Sequence, residues 1–328
     1  MNRRAWAWAR NADVAATFGV LLWRVGTGPF LDGLRTVDAR ALAAAAGIAV
    51  LTTACSAWRW KLVARGLGID LPLPVAMAAY YRSQFLNVVL PGGVLGDVDR
   101  GIGNGRANGD VGRGLRAVAW ERCAGQGVQA VMTLAVLLLL PSPVRSAVPL
   151  VGLVLLAVVL AAALVMRAGR GGERSRWTRF LRAVRGDIRH GLLAGRAWMG
   201  IAAASAAATA GYALTFVVAA RTAGVEAPVT TLLPLALLVM LAMVLPSVAG
   251  WGPREGVTAW AFGAAGLGAG SGVATAVVFG VMLFAASLPG ALVLLAGQRR
   301  RSRALERSEP ALAWRVPVAA RQDGAPHG

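Results

Sequence analysis

Two stretches of this chain, Ala147–Met166 and Gly272–Leu295, run for 20 and 24 residues without a charged side chain. A hydrocarbon core of about 30 Å is crossed by around 20 apolar residues in a helix, so runs of this length constrain the chain to a lipid environment. Composition agrees. Only 15% of residues are charged, 57% are hydrophobic and the mean hydropathy is +0.60, whereas soluble domains carry roughly 25% charge. The expected class is an all-α polytopic membrane protein with about six to eight transmembrane helices.

The charge that remains is placed unevenly. The net charge is +19, from 34 basic and 15 acidic residues, with nine arginines in Arg167–Arg196, seven in Arg299–Arg321 and three in the first ten residues. Cationic segments between spans stay in the cytoplasm, so both termini and the central linker are expected there, in a multi-pass protein of the cell membrane. Anionic inner-leaflet headgroups are the natural partner of Arg167–Arg196. A nucleic-acid partner is excluded because no module that reads DNA or RNA accompanies the high pI. Within the linker, Trp177, Phe180, Leu181, Val184, Ile188 and Leu192 recur at three- and four-residue spacing between arginines, which predicts an amphipathic surface helix or a solvated linker helix.

Several chemistries are unsupported. Two cysteines in apolar segments, Cys55 and Cys123, argue against a disulfide scaffold, and two histidines, His190 and His327, exclude a histidine-rich metal centre. There is no phosphate loop for ATP, and Gly101-x-Gly103-x-Gly105 lacks the context of a dinucleotide fingerprint. No cofactor, no resident metal and no cleaved leader are expected.

The most informative interruptions are two breaks. The apolar run Leu73–Leu90 ends at Pro91-Gly92-Gly93 and is followed by Asp97, Asp99 and Arg100. The run Leu232–Leu245 ends at Pro246, followed by Gly250, Gly252, Arg254 and Glu255. Gly68-Ile-Asp-x-Pro72 precedes the first run and Gly224-Val-Glu-x-Pro228 the second, which suggests an internal repeat. If every apolar run crosses, the nine-arginine stretch falls outside the cell. If Leu73–Val94 and Leu232–Leu267 enter and turn back, both basic segments return to the cytoplasm; a first segment Ala12–Phe30 that does not cross would spare the first hairpin. The expected organisation is a lead and weak first span (1–38), a first membrane repeat (39–166), the basic linker (167–197), a second membrane repeat (198–298) and a basic disordered tail (299–328). Two re-entrant or broken hairpins form an inverted repeat, an architecture of transporters. Asn104–Arg116 reads as a loop, and Trp58-Arg-Trp-Lys61 as an interfacial anchor.

A lipid headgroup crossing hydrocarbon needs its phosphate, and sometimes an ammonium, masked. Arg100, Arg122 and Arg254 suit phosphate, and Asp97, Asp99, Glu121 and Glu255 suit a cation or a proton. Asn87, Pro91, Gly92, Gly93, Pro246, Gly250 and Gly252 shape the breaks, where glycine lets backbone amides approach a ligand. Each has a plainer reading: Asp97, Asp99 and Arg100 as charges capping a helix, Arg254 and Glu255 likewise, and Glu121 and Arg122 as members of structural ion pairs. Adjacent on one helix, Glu121 and Arg122 project to different faces, so their partners should lie on other helices. Arg82 and Gln84 accompany Asn87, and Pro289-Gly290 reads as a tolerated kink. Asp97-x-Asp99 could alternatively hold a divalent metal in a polyprenyl-phosphate-dependent glycosyltransferase.

On Trp58-Arg-Trp-Lys61, Leu90-Pro-Gly-Gly-Val-Leu-Gly-Asp97 with Arg100, Glu121-Arg122 and Pro246 through Gly256, the chain resembles the transmembrane, flippase-like part of the lysylphosphatidylglycerol synthase family, over about residues 40 to 296. The resemblance implies an integral membrane lipid translocator, flippase- or scramblase-like. In full-length relatives a soluble domain aminoacylates phosphatidylglycerol. Here the chain stops about thirty residues after its last span, so a stand-alone member without synthase activity is expected. Some such members are associated with polyprenyl-phosphate or glycolipid pathways. A non-catalytic partner of a lipid-modifying enzyme is the remaining alternative.

Overall fold

The computed structural model of the chain describes residues 36–90, 93–140, 145, 148–168, 176–243 and 253–313. The described residues build helices and no strand, in the order α1 (Ala39–Gly66), α2 (Leu73–Val89), α3 (Leu95–Ala107), α4 (Val111–Leu139), α5 (Val148–Ala168), α6 (Arg176–Asp187), α7 (Ala197–Thr222), α8 (Val229–Ala242), α9 (Pro253–Ala264) and α10 (Ala269–Ala313). Among the described residues, four segments are long and apolar enough to cross a membrane: α1, α4, α7 and Ala269–Gly297 of α10. The first expected span, Ala12–Phe30, lies outside the described residues.

Helix ends follow local chemistry. Asp38 caps α1 by accepting from the Ala41 amide at 2.7 Å. At its far end Gly68 takes φ +75° and the Ile69 amide reaches back to the Ala64 carbonyl at 2.9 Å, a left-handed stop that glycine allows. α7 ends the same way: Gly224 has φ +82° and the Val225 amide donates to Ala220 at 2.9 Å. Proline opens the next helix in both places, Pro72 before α2 and Pro228 before α8.

α2 ends at Val89 with Leu90 as its cap, Gly93 turns the chain with φ +65°, and α3 packs back against α2. The expected loop Asn104–Arg116 is instead mostly helix. α3 continues to Ala107, three residues turn, and α4 starts at Val111 capped by Asp110, which accepts from the Arg113 amide at 2.8 Å. The glycines that suggested a loop serve packing: a Cβ on Gly114 would lie 2.7 Å from the Gly105 Cα, and one on Gly101 would lie 2.9 Å from Leu115. Gly68, at the end of α1, lies beside Arg113 in the first turn of α4. The α2–α3 hairpin thus connects the end of α1 to the start of α4.

The packing pairs come in twos: α1 against α4 and α7 against α10, α2 against α10 and α8 against α4, α10 against α1 and α4 against α7. α1 also lies along α7. Gly200 sits under Leu62 and Trp58, while Gly211 approaches Thr52 and Ile48, so the two helices run antiparallel. Small residues set this close approach, as in membrane helix pairs, where lipid offers no hydrophobic drive. One apolar cluster, with Phe216 edge-on to Phe262 and Phe279 at 6.2 and 5.4 Å, joins α7–α10 to the far end of α4. A smaller one, around Trp60, Ile69, Leu71 and Tyr80, fills the other end. Leu150, Leu153, Leu156, Leu160 and Leu164 of α5 are exposed, as on a lipid-facing helix.

The linker helix α6 occupies Arg176–Asp187 and continues through a π-turn, Ile188–Leu192. Its end is docked: Asp187 is buried and accepts from Arg116 Nε at 2.8 Å and Trp120 Nε1 at 3.2 Å on α4. α10 does not stop with its last apolar residue. It continues to Ala313, into the stretch expected to be disordered, because no glycine or proline interrupts Arg299–Ser308 and arginine, alanine, leucine and glutamate are good helix formers. Residues 314–328 lie outside the described residues.

Candidate functional site

Where the α2–α3 hairpin meets α1 and α4, five ionic side chains converge. Glu121 on α4 is fully buried and Arg100 on α3 is 1% exposed. Arg100 Nη2 donates to Glu121 Oε2 at 2.6 Å, and its Nε donates to Asp97 Oδ1 at 2.9 Å. Arg59 of α1 reaches Glu121 Oε1 through Nη2, and through Nε at 2.8 Å. Arg122 Nη2 lies 2.5 Å from Asp97 Oδ2. Glu121 and Arg122, neighbours in sequence, thus take partners on other helices.

Neutral groups complete the cluster. Tyr80 donates to Glu121 Oε1 at 3.2 Å, Ser83 donates to Asp97 Oδ1 at 3.1 Å, and Arg59 Nη1 donates to Ser205 Oγ of α7 at 3.3 Å. Asn87 closes the helix break itself: its Nδ2 donates to Asp97 Oδ2 at 3.1 Å while its Oδ1 accepts from the Gly96 amide at 2.8 Å. The Arg100 guanidinium lies 4.7 Å from the Trp60 ring centroid and 4.5 Å from that of Tyr80, a sandwich that holds a desolvated cation by its flat faces. Gly125 makes room for Arg59, since a Cβ there would lie 2.7 Å from its Nη1.

Three guanidinium groups (Arg59, Arg100, Arg122) stand against two carboxylates (Asp97, Glu121), leaving one positive charge in excess. Arg100 Nη1 and Arg122 Nε are buried donors without a protein partner. Arg59 and Arg100 are buried against the two carboxylates, while the Arg122 side chain is 42% exposed at the cluster's edge, so the spare donors and the excess charge suit an anion arriving from that side.

The other sequence candidates are distributed as follows. Asp99 faces away from the cluster and pairs with Arg82 Nη2 at 2.6 Å, so Asp97 and Asp99 are engaged by different arginines. Gly93 makes the turn. Pro91, Gly92, Pro246, Gly250 and Gly252 lie outside the described residues. Arg254 and Glu255 open α9 and are 5% and 4% exposed. Arg254 donates to Glu255 Oε1 from Nε at 2.8 Å and from Nη2 at 2.5 Å, lies against Gly280, and is 6.0 Å from the Phe279 ring centroid. Adjacent charges pair with each other here, unlike Glu121 and Arg122.

Arg59, Trp60, Tyr80 and Ser83 were not expected in the site. Trp58-Arg-Trp-Lys61 reads as an interfacial anchor, yet Trp60 is fully buried and only Trp58 is well exposed. The missed signal is depth: Arg59 precedes the end of α1 by seven residues, about 10 Å of helix. A buried glutamate on another span also demands a cation from somewhere.

The family model described as the lysylphosphatidylglycerol synthase TM region matches residues 11–311. No curated protein matches the chain.

Proposed function

The chain belongs to the lysylphosphatidylglycerol synthase TM region family, and from that premise we propose that it moves a phospholipid or polyprenyl-linked lipid between the leaflets of the cell membrane. The observation that carries this reading is one arginine more than the carboxylates can match, the partly exposed Arg122 at the cluster's edge, together with buried unpartnered guanidinium nitrogens, at the foot of a broken helical hairpin. An isolated charge costs about 3 kcal/mol at the bilayer centre on insertion scales, and a site that already holds matched arginines and carboxylates lowers the cost for a headgroup. The separate engagement of Asp97 and Asp99 favours transport over a metal-dependent glycosyltransferase.

The architecture supports the same reading. Two four-helix units, α1–α4 and α7–α10, share their capped glycines, their proline-opened second helices and their exchanged packing partners. Equivalent helices α1 and α7 that run antiparallel are related by an axis lying in the membrane plane, as in an inverted repeat. With α2–α3 and α8–α9 as re-entrant hairpins, the ends of α1 and α10 and the basic linker all face the cytoplasm, in keeping with the positive-inside rule. Arg167–Arg196 then meets anionic headgroups.

Reconstitution into liposomes with a panel of fluorescent phospholipids and a polyprenyl phosphate is the test. Leaflet exchange of at least one lipid should accelerate tenfold or more over protein-free vesicles, and Arg100→Ala should remove that acceleration. Exchange at the protein-free rate for every lipid, beside a working scramblase control, overturns the proposal.

A further inference from the structure

The ion cluster does not end at Arg122. Along α4, Arg122, Gln126, Gln129 and Thr133 follow at four-, three- and four-residue steps and share one helix face. Gln129 is 7% exposed and Thr133 fully buried. Three of the four have a buried polar atom without a protein partner: Arg122 Nε, Gln126 Oε1 and Gln129 Nε2. Thr133 turns its hydroxyl back to the Gln129 carbonyl at 2.8 Å. The opposite face of α4 is ordinary for lipid, with Val131 and Leu138 exposed at 58% and 59%.

Nearby polar groups belong to the same region. Gln84 of α2 donates to the hydroxyl of Tyr212 on α7 at 3.5 Å and to Thr53 of α1 at 3.3 Å. A membrane-spanning helix satisfies its polar side chains internally or lines a hydrated path. Two glutamines on successive turns beyond an arginine, each with an orphaned buried atom, fit the second case.

We propose that Arg122, Gln126 and Gln129 line a polar track along α4 that carries a phosphodiester headgroup from the ion cluster toward the bilayer midplane, the acyl chains remaining in lipid. The track runs for about 10 Å from Arg122 to Gln129 at the helical rise. Its spare groups are chemically matched to such a headgroup. Arg122 Nε and Gln129 Nε2 donate to phosphate oxygens, and Gln126 Oε1 accepts from a headgroup hydroxyl or ammonium. This deepens, and rests on, the reading of the chain as a lipid translocator.

The test has two arms in the full chain, in proteoliposomes, on a Cys55→Ala, Cys123→Ser background. In the first, single cysteines at Gln126, Gln129, Val131 and Leu138 are exposed to a membrane-impermeant thiosulfonate. Gln126→Cys and Gln129→Cys should react at least tenfold faster than Val131→Cys and Leu138→Cys. Short-chain phosphatidylglycerol should slow the reaction where equimolar inorganic phosphate does not; slowing by both equally points to a free-anion site and overturns the lipid route. In the second arm, Gln126→Leu and Gln129→Leu should each slow leaflet exchange at least fivefold. Glutamine-site cysteines as inert as the lipid-facing ones, or leucine variants with wild-type exchange, overturn the track. Reactive cysteines in a protein that moves no lipid would retain a hydrated track and remove the translocator reading alone.

Discussion

Arg100 is the residue on which the buried cluster turns, because its planar guanidinium does two things at once. Its edge bonds Asp97 and Glu121, and its faces lie between Trp60 and Tyr80. Lysine offers a point charge without a plane, so Arg100→Lys should lower the apparent melting temperature in detergent and fail to restore lipid exchange. Arg100→Ala leaves buried carboxylates short of a partner and should cost about 3–5 kcal/mol. Removing both sides, Arg100→Met with Glu121→Gln, should recover much of that stability in the same melting assay while exchange stays lost, which separates folding from transport. At the aqueous end of α4, Asp110 caps the helix, and the Arg113 amide holds its carboxyl below the usual range. A folded-state value depressed below the unfolded one contributes stability above the unfolded value and loses it as pH falls through the folded value. Amide exchange in the first turn of α4 should therefore quicken in acid, and Asp110→Ala should show that quickened exchange already at neutral pH while Asp110→Asn, which can still cap, should not.

At the scale of the element, the α2–α3–α4 unit depends on side chains that are absent. α3 and α4 approach through Gly101, Gly105 and Gly114, so closely that the short turn Asn108–Asp110 can join them. Gly114→Leu has no neighbouring flexible chain to displace, only the backbone of α3. It should part the two helices, and the measurable consequence is proteolysis of the 108–110 turn together with loss of the Arg100–Glu121 contact, read as a melting temperature near that of Arg100→Ala. Glycine in a sequence is ambiguous between a turn and a packing surface, which is why Asn104–Arg116 reads as a loop while most of it is helix. The breaks are less ambiguous. Pro91-Gly92-Gly93 with charge close behind it does end α2, whereas Pro289-Gly290, with no charge for eight residues, leaves α10 continuous.

For the whole molecule, the inverted repeat we propose for α1–α4 and α7–α10 expects the ends of α1 and α7 on opposite faces of the membrane. Asn108 and Glu226 are both exposed and lie at the ends of the two units. In sealed vesicles, Asn108→Cys should react only from the side of the basic linker and Glu226→Cys only from the other; reaction of both from one side removes the inverted repeat. The length and order of the apolar runs and the break after α2 were determined by the sequence alone, because the bilayer acts on each segment through length and hydropathy without reference to its neighbours. Which arginine meets which carboxylate was decided only by the tertiary structure. Arg59, Asp97, Arg100 and Glu121 are brought together from three helices, and a buried charge selects the opposite charge nearest in space, a distance that no spacing along the chain encodes.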